Sequence, residues 1–455
     1  MPSKILIAGG SVIDIENGTR AKRDVLVDGE KIVAVGSAAA MTLDKDVRTI
    51  DAQGKFIIPG LWDAHIHMTI WPEFAHQLSA LLVANGITSV RDMGGQIDDV
   101  VALRKHNAQK GVVGPRMWIA GPIIDGQPHM AQSYGVEVRS TEEAEALVDT
   151  LVERGVDFVK LYEMLPPDVF KALVTRAQQV HQLPAAGHIP QRMTIAEVLD
   201  IGQYDIQHLG GTGSGMKYDC ILDSCCGPDR EAILAARKPE ESGVDLLLKV
   251  GAASTMSPED MDPEKIDRLI DLFVEKNTWH TPTLTGCVRF RDLGLRDDPF
   301  VTDRLHYLPS PRKEAALAMQ DPQQDPTNVY KFGTWSLDVV GRLHKAGVKL
   351  LAGTDSPPLH TPAFCLHLEL KAMVAAGLSP HEALKTATLH PAEYFGIENE
   401  MGSIDEGKLA DIVLLDKDPL EDIDHCRLIS AVCSRGEYYD RSALDALLAS
   451  VSKFQ

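Results

Sequence analysis

Strand-type runs alternate with helix-type segments from residue 58 to residue 400, and no other feature constrains the fold as strongly. Strands joined through helices must run parallel, because a hairpin turn would reverse them. Eight runs are expected as strands: one ending at His65, then Ile87–Arg91, Met117–Pro122, Asp157–Tyr162, Pro184–His188, Tyr204–His208, Trp279–Leu284 and Val348–Asp355. Helices are expected near 73–85, over Glu142–Arg154 with Gly155 as its stop, over Asp168–Ala177 and around 193–202. In Asp168–Ala177 the residues Val169, Phe170, Leu173, Val174 and Ala177 form one stripe, as a helix lying on a sheet requires. Eight such units close into an α/β structure, a (β/α)8 TIM-like barrel, whose active sites sit at the C-terminal strand ends. The long connections at about 211–262 and 286–334 leave that same face and read as lids or binding loops.

Short β-type runs open the chain, in Lys4–Ala8, Asp24–Asp28 and Lys31–Val35. Similar runs return at Ala410–Asp416 and from Leu428 to Tyr439, after the turn-like Gly402–Gly407. Both ends are therefore expected to build one small discontinuous β-sandwich domain, from residues 1–57 and 401–455, around an inserted barrel of 58–400.

Composition narrows the partners. With 45 Lys and Arg against 65 Asp and Glu, the formal charge of -20 argues against nucleic-acid and anionic-membrane surfaces and for a small-molecule substrate. No secretory signal or membrane-length apolar run is evident. The 7 cysteines, at 220, 225, 226, 287, 365, 426 and 433, form no C-x-x-C pair, so they read as packing thiols in a reducing cytoplasm, the expected location. Cys220, Cys225 and Cys226 lack the spacing of a thiolate zinc site.

The chemistry collects at the strand ends. His65 and His67 alternate on one strand and so project from one face, where two imidazoles can share a metal ion. Alone the pair could be ordinary polar residues at a strand end, just as Asp355 could cap a helix and Lys160 could be a solvated charge. Together with His188 and His208, they converge from strands one, four, five, six and eight on a site fit for two divalent ions with nitrogen and oxygen ligands. Lys160 cannot bind metal as an ammonium. Buried beside cations, it becomes a nucleophilic amine able to capture carbon dioxide as a carbamate, an anionic bridging ligand. His129 in the third-strand loop, and Tyr162, two residues past Lys160 on the same face, are candidates to hydrogen-bond the substrate, or else packing and surface residues.

The run Pro59-Gly-Leu-Trp-Asp-Ala-His65-Ile-His67, the barrel lysine, the two later histidines, Gly353-Thr-Asp355, Ala387–Ala392 and Gly407–Val413 resemble the metal-dependent amidohydrolase superfamily over nearly the whole chain. Thr281-Pro-Thr-Leu284 adds a likeness to its imidazolonepropionase-like branch, which contains dipeptidases of the prolidase type. The resemblance implies that His65, His67 and Asp355 hold one ion and His188 and His208 the other, with carboxylated Lys160 between them, and the histidine-rich ligand set favours zinc. It further implies a metal-bridging hydroxide as nucleophile and Asp355 as general base and then acid. True imidazolonepropionases use one ion and lack the bridging lysine, so Lys160 favours a binuclear hydrolase of amide bonds acting on dipeptides, Xaa-Pro among them, or on N-acyl amino acids. The segment Leu161–Pro167, which leads quickly into a helix, is unlike many peptidase-type members. Two other readings stay open: a mononuclear cyclic-amide hydrolase or deaminase, and a non-catalytic relative that kept the barrel for assembly. Self-association into a homo-oligomer is expected, of no particular order.

Overall fold

Leu61–Ile66, Ile87–Asp92 and Arg116–Ile119 form one parallel set of strands, and Val159–Leu161, Ala185–Gly187, Asp205–Gln207, Trp279–Thr281 and Lys349–Leu350 continue it. Backbone bonds close the ring at both seams. Ala64 N donates to Ala352 O, Thr354 N to His65 O and His67 N to Ser356 O, and across the other seam Asp157 N donates to Ile119 O. This is the expected eight-stranded α/β barrel, here in a computed structural model that describes residues 4–43, 46–127, 132–208, 262–287, 300, 303–309, 313–314, 326–357 and 361–452. Most of the 211–262 and 286–334 connections, His129, Cys220, Cys225 and Cys226 lie outside the described residues.

Several boundaries differ from the sequence reading for local reasons. The second connection ends early, because Pro326–Lys345 is helical. Strand four shortens to Val159–Leu161, strand six to Asp205–Gln207 and strand seven to Trp279–Thr281. In strands six and seven a left-handed residue follows within two positions, His208 at φ 65° and Thr283 at φ 47°, and a strand cannot continue through it. The loop after strand three contributes two further short parallel strands, Ile123–Asp125 and Gly135–Glu137.

Both chain ends enter one sheet. Phe56–Pro59 from the N-terminal part pairs antiparallel with Ile412–Leu415 from the C-terminal part, and the sheet spreads outward from that junction to eight strands. Its far strand, Lys31–Gly36, returns to the other side: Ile32 N donates to Lys408 O and Ala410 N to Glu30 O. The sheet thereby folds over a core of Ile5, Ile7, Val25, Val27, Ile32, Ile57, Ile412 and Leu414. Ile429–Ser434 and Glu437–Asp440 form its last hairpin, with Arg435 and Gly436 both at positive φ as a two-residue turn requires. The closing helix Arg441–Ser452 lies against the barrel helix Ala75–Ala84, with Leu444 and Val451 in the barrel-side core.

The Ala387–Ala392 motif begins the helix Leu389–Phe395, whose Phe395 ring meets Trp62, Trp118 and Phe158 from the N-terminal ends of three barrel strands. The barrel floor is thus plugged by aromatic rings, and its chemistry is confined to the opposite mouth. Cys365, Cys426 and Cys433 are buried free thiols, consistent with packing. No helix among the described residues is long and apolar enough to cross a membrane.

Gly353 lets strand eight pass close to the first strand: a Cβ there would stand 2.6 Å from His65 Cβ and 2.6 Å from Thr281 Cγ2. Gly353→Ala is expected to lower stability by about 1–3 kcal/mol in denaturant unfolding. An unchanged midpoint would mean that the two strands separate more easily than their packing implies.

Candidate metal centre

The five histidine and aspartate residues named from sequence meet at the C-terminal mouth. Ring centroids of His65 and His67 are 5.6 Å apart, those of His65 and His208 4.7 Å, and those of His188 and His208 4.8 Å. Asp355 Oδ1 lies 3.3 Å from His65 Nε2 and 3.2 Å from His67 Nε2. The tightest donor set among the described residues is His65, His208 and Asp355, whose ligand atoms all lie within 4.8 Å of one another. His208 therefore approaches both of the ligand groups that the family resemblance keeps apart.

Each ring is held from behind through Nδ1. His65 Nδ1 is 2.7 Å from Gln207 Oε1, His67 Nδ1 2.8 Å from Gly94 O, His188 Nδ1 2.8 Å from Glu163 Oε1 and His208 Nδ1 2.7 Å from Thr283 Oγ1. With Nδ1–H donated outward, Nε2 keeps its lone pair for the pocket, which is the arrangement of a metal-ligating imidazole. Gln207, Glu163 and Thr283 were not singled out from the sequence. Gln207 was the most accessible of them, since it shares its strand face with Asp205 and precedes His208. Strand alternation would have put Glu163 on the face opposite Lys160, and only the chain turn after Leu161 brings it back. Thr283 shares the parity of Thr281, which reaches Arg91 inside the barrel, but it lies past the strand end.

Lys160 is 1% exposed, and among the described residues its Nζ has no hydrogen-bond partner. Burial pulls the amine down to about 7; Asp355 and Asp205 oppose the shift, and Arg91 adds to it. Burial and the Lys160 charge likewise hold His65 and His188 well below the usual imidazole range, and burial takes His208 down to about 4. His67 moves the other way: Asp355 outweighs the burial cost and raises it. Burial would raise the Asp355 carboxyl, but the surrounding imidazoles keep it well below the ordinary range. A buried amine with no partner, His65 Nε2 without hydrogen-bonding alignment, and an ionised carboxylate suit divalent cations, which would take up these lone pairs.

His208 and Asp355 reach the mouth in the left-handed backbone region, at φ 65° and φ 53°, as does Thr283 behind His208. Non-glycine residues there carry strain that the surrounding packing must hold. Beneath them Asp63 accepts from Thr354 Oγ1 at 2.6 Å and fixes the Gly353-Thr-Asp355 turn. The Tyr162 ring stands 4.2 Å from that of His188 and so borders the site. Tyr134, which the sequence did not suggest, borders it on the other side, 5.8 Å from His67.

The model of the amidohydrolase family matches residues 56–431. The chain belongs to the amidohydrolase family. Imidazolonepropionase of Symbiobacterium thermophilum is 39% identical over 424 residues, covering 88% of this chain and 84% of that protein. Imidazolonepropionase of Pseudomonas aeruginosa is 24% identical over 401 residues, covering 86% and 87%. Among solved structures, a Xaa-Pro dipeptidase with bound methionine in the active site has a TM-score of 0.66 at 20% identity, covering 96% of this chain and 100% of its own. Bottromycin amidohydrolase has a TM-score of 0.71 at 20% identity, covering 100% and 91%. These structural likenesses establish the shared fold, and family membership makes this amidohydrolase a metal-dependent hydrolase of C–N bonds.

The buried imidazoles set a pH dependence. In metal-free protein His208 is expected to titrate at about 4 and His280, buried on strand seven, at about 3, against 6.5 for an ordinary ring. Both folded values lie below the unfolded one, so the stability these neutral rings contribute is complete above pH 6.5 and declines as the pH falls towards 4 and 3. Histidine NMR titration reads the midpoints directly, and values near 6.5 would contradict the burial argument.

Proposed function

We propose that this amidohydrolase is a binuclear hydrolase of dipeptides or N-acyl amino acids. One observation carries the reading: the Lys160 amine, buried, without a hydrogen-bond partner among the described residues, and interacting electrostatically with His65, His188, His208 and Asp355, with its pKa lowered to about 7. A lone cationic lysine there would repel divalent ions. A neutral one can attack carbon dioxide, forming an N–C bond and releasing a proton, and the product is an anion with two oxygens. That carbamate would bridge two ions, one held by His65, His67 and Asp355 and the other by His188 and His208. The histidine-rich set favours zinc.

When bound, the ions would supply a nucleophilic water at neutral pH and polarise the scissile carbonyl. Asp355, on the acid side of its usual range, is poised to accept the proton from that water and then deliver it to the leaving nitrogen. Tyr162 and His129 are proposed to orient the substrate, and Xaa-Pro dipeptides belong in the screen. A cytoplasmic enzyme that self-associates and acts on small molecules, without nucleic acid or membrane, completes the proposal.

A second reading is a mononuclear cyclic-amide hydrolase, which the 39% identity to an imidazolonepropionase favours. Metal analysis and a screen of dipeptides, N-acyl amino acids and cyclic amides separate the two. The binuclear reading expects two equivalents of metal, and Lys160→Ala lowering kcat/KM about 100-fold or more, ~2.7 kcal/mol of transition-state stabilisation. It also expects bicarbonate to speed reconstitution above pH 7, where the amine is neutral. One equivalent of metal, with full activity in Lys160→Ala, would contradict it.

A further inference from the structure

The Nδ1 partners of the four rings differ in what they can dictate. The Gly94 carbonyl only accepts, so it leaves His67 no choice of tautomer. The Gln207 amide behind His65 has an oxygen on one side and an NH2 on the other. Half a turn of that amide would make it donate to Nδ1 and move the ring proton to Nε2, where it would block the pocket lone pair.

Two buried contacts choose between these orientations. Asp205 Oδ1 lies 2.5 Å from Gln207 Nε2, and the other oxygen of this carboxylate pairs with Arg91 Nη1, so Asp205 only accepts. Arg91 Nη2, which only donates, lies 3.4 Å from Gln207 Oε1. Turning the amide would set its oxygen against a carboxylate and its NH2 against a guanidinium, both away from water. Arg91 cannot easily move aside, because its Nε also donates to Ala64 O at 2.6 Å and its Nη2 to Thr281 Oγ1 at 2.9 Å. The Tyr394 ring lies 4.8 Å beneath the guanidinium.

We propose that the Arg91–Asp205 ion pair locks the Gln207 amide with its oxygen towards His65, and so fixes His65 as the Nδ1–H tautomer with its Nε2 lone pair in the pocket. The three residues are positioning residues that touch neither substrate nor ion. The significance of the lock rests on His65 being a metal ligand, but the lock itself is a property of the metal-free protein.

Long-range proton–nitrogen NMR on metal-free protein with 15N-labelled histidine reads it. In the wild type, His65 should be an Nδ1–H tautomer, and His67, whose Nε2 faces Asp355 at 3.2 Å, should keep a proton on Nδ1 towards the Gly94 carbonyl. In Gln207→Met, which keeps the side-chain length and removes the acceptor, His65 should become a mixture while His67 stays unchanged. Zinc affinity by chelator competition should fall about 10–100-fold. An Nε2–H His65 in the wild type overturns the lock without needing a folded variant. An unchanged tautomer in Gln207→Met overturns it too, as does a His67 that shifts together with His65. A locked His65 in a protein that takes up no metal would leave the lock standing and remove the binuclear reading instead.

Discussion

Four imidazoles set their Nδ1 atoms against groups behind them and turn their Nε2 atoms into one pocket, and the remaining architecture serves that orientation. A histidine can ligate metal only while the coordinating nitrogen is unprotonated. Burial achieves part of this by disfavouring the charged ring. The hydrogen bonds from behind achieve the rest by choosing which nitrogen keeps its proton. The cost is a barrel interior that is polar near the mouth, with Asp63, Arg91, Asp205 and Gln207 all fully or almost fully buried. Those groups are tolerable because Arg91, Asp205 and Gln207 satisfy one another, together with Ala64 O and Thr281, across strands one, two, six and seven. Asp63 is satisfied by Thr354 after strand eight.

Lys160 stands apart from that network. Burial depresses its pKa although Asp355, Asp205 and Glu163 oppose the shift, and among the described residues no acceptor reaches its Nζ. Arg91, the other fully buried cationic side chain among the described residues, is tied on several sides, and that contrast is why a ligand from outside the chain is proposed for Lys160. The low end of the barrel shows the contrasting solution, where Trp62, Trp118, Phe158 and Phe395 pack ring against ring. One end of the barrel is given to stability and the other to chemistry.

The sequence revealed the barrel because the strand-then-helix period is a global pattern that local irregularities do not erase. Lys160 was legible because alternation assigns its face correctly within a regular strand, and His65 and His67 because their i, i+2 spacing keeps them on one side although the first strand is irregular between Asp63 and Ile66. His208, Asp355 and Thr283 obey another rule: they sit where the backbone turns left-handed, and their direction depends on tertiary contacts that no local pattern encodes. Glu163 and Gln207 were hidden for a different reason, because a partner that orients a ligand is defined by a distance between strands far apart in the chain. Tyr134 follows a loop whose path the sequence does not dictate, and its approach to His67 emerges only from the fold.

The central claim is that the inward Nε2 atoms and Asp355 hold two metal ions with Lys160 between them. Anomalous diffraction from crystals of zinc-loaded protein tests this most directly. The account predicts two anomalous peaks at the barrel mouth, one beside His65, His67 and Asp355 and one beside His188 and His208, with density for a carboxylated Lys160 joining them. A single peak with an unmodified Lys160, or zinc bound through Nδ1 of any of these rings, would contradict it.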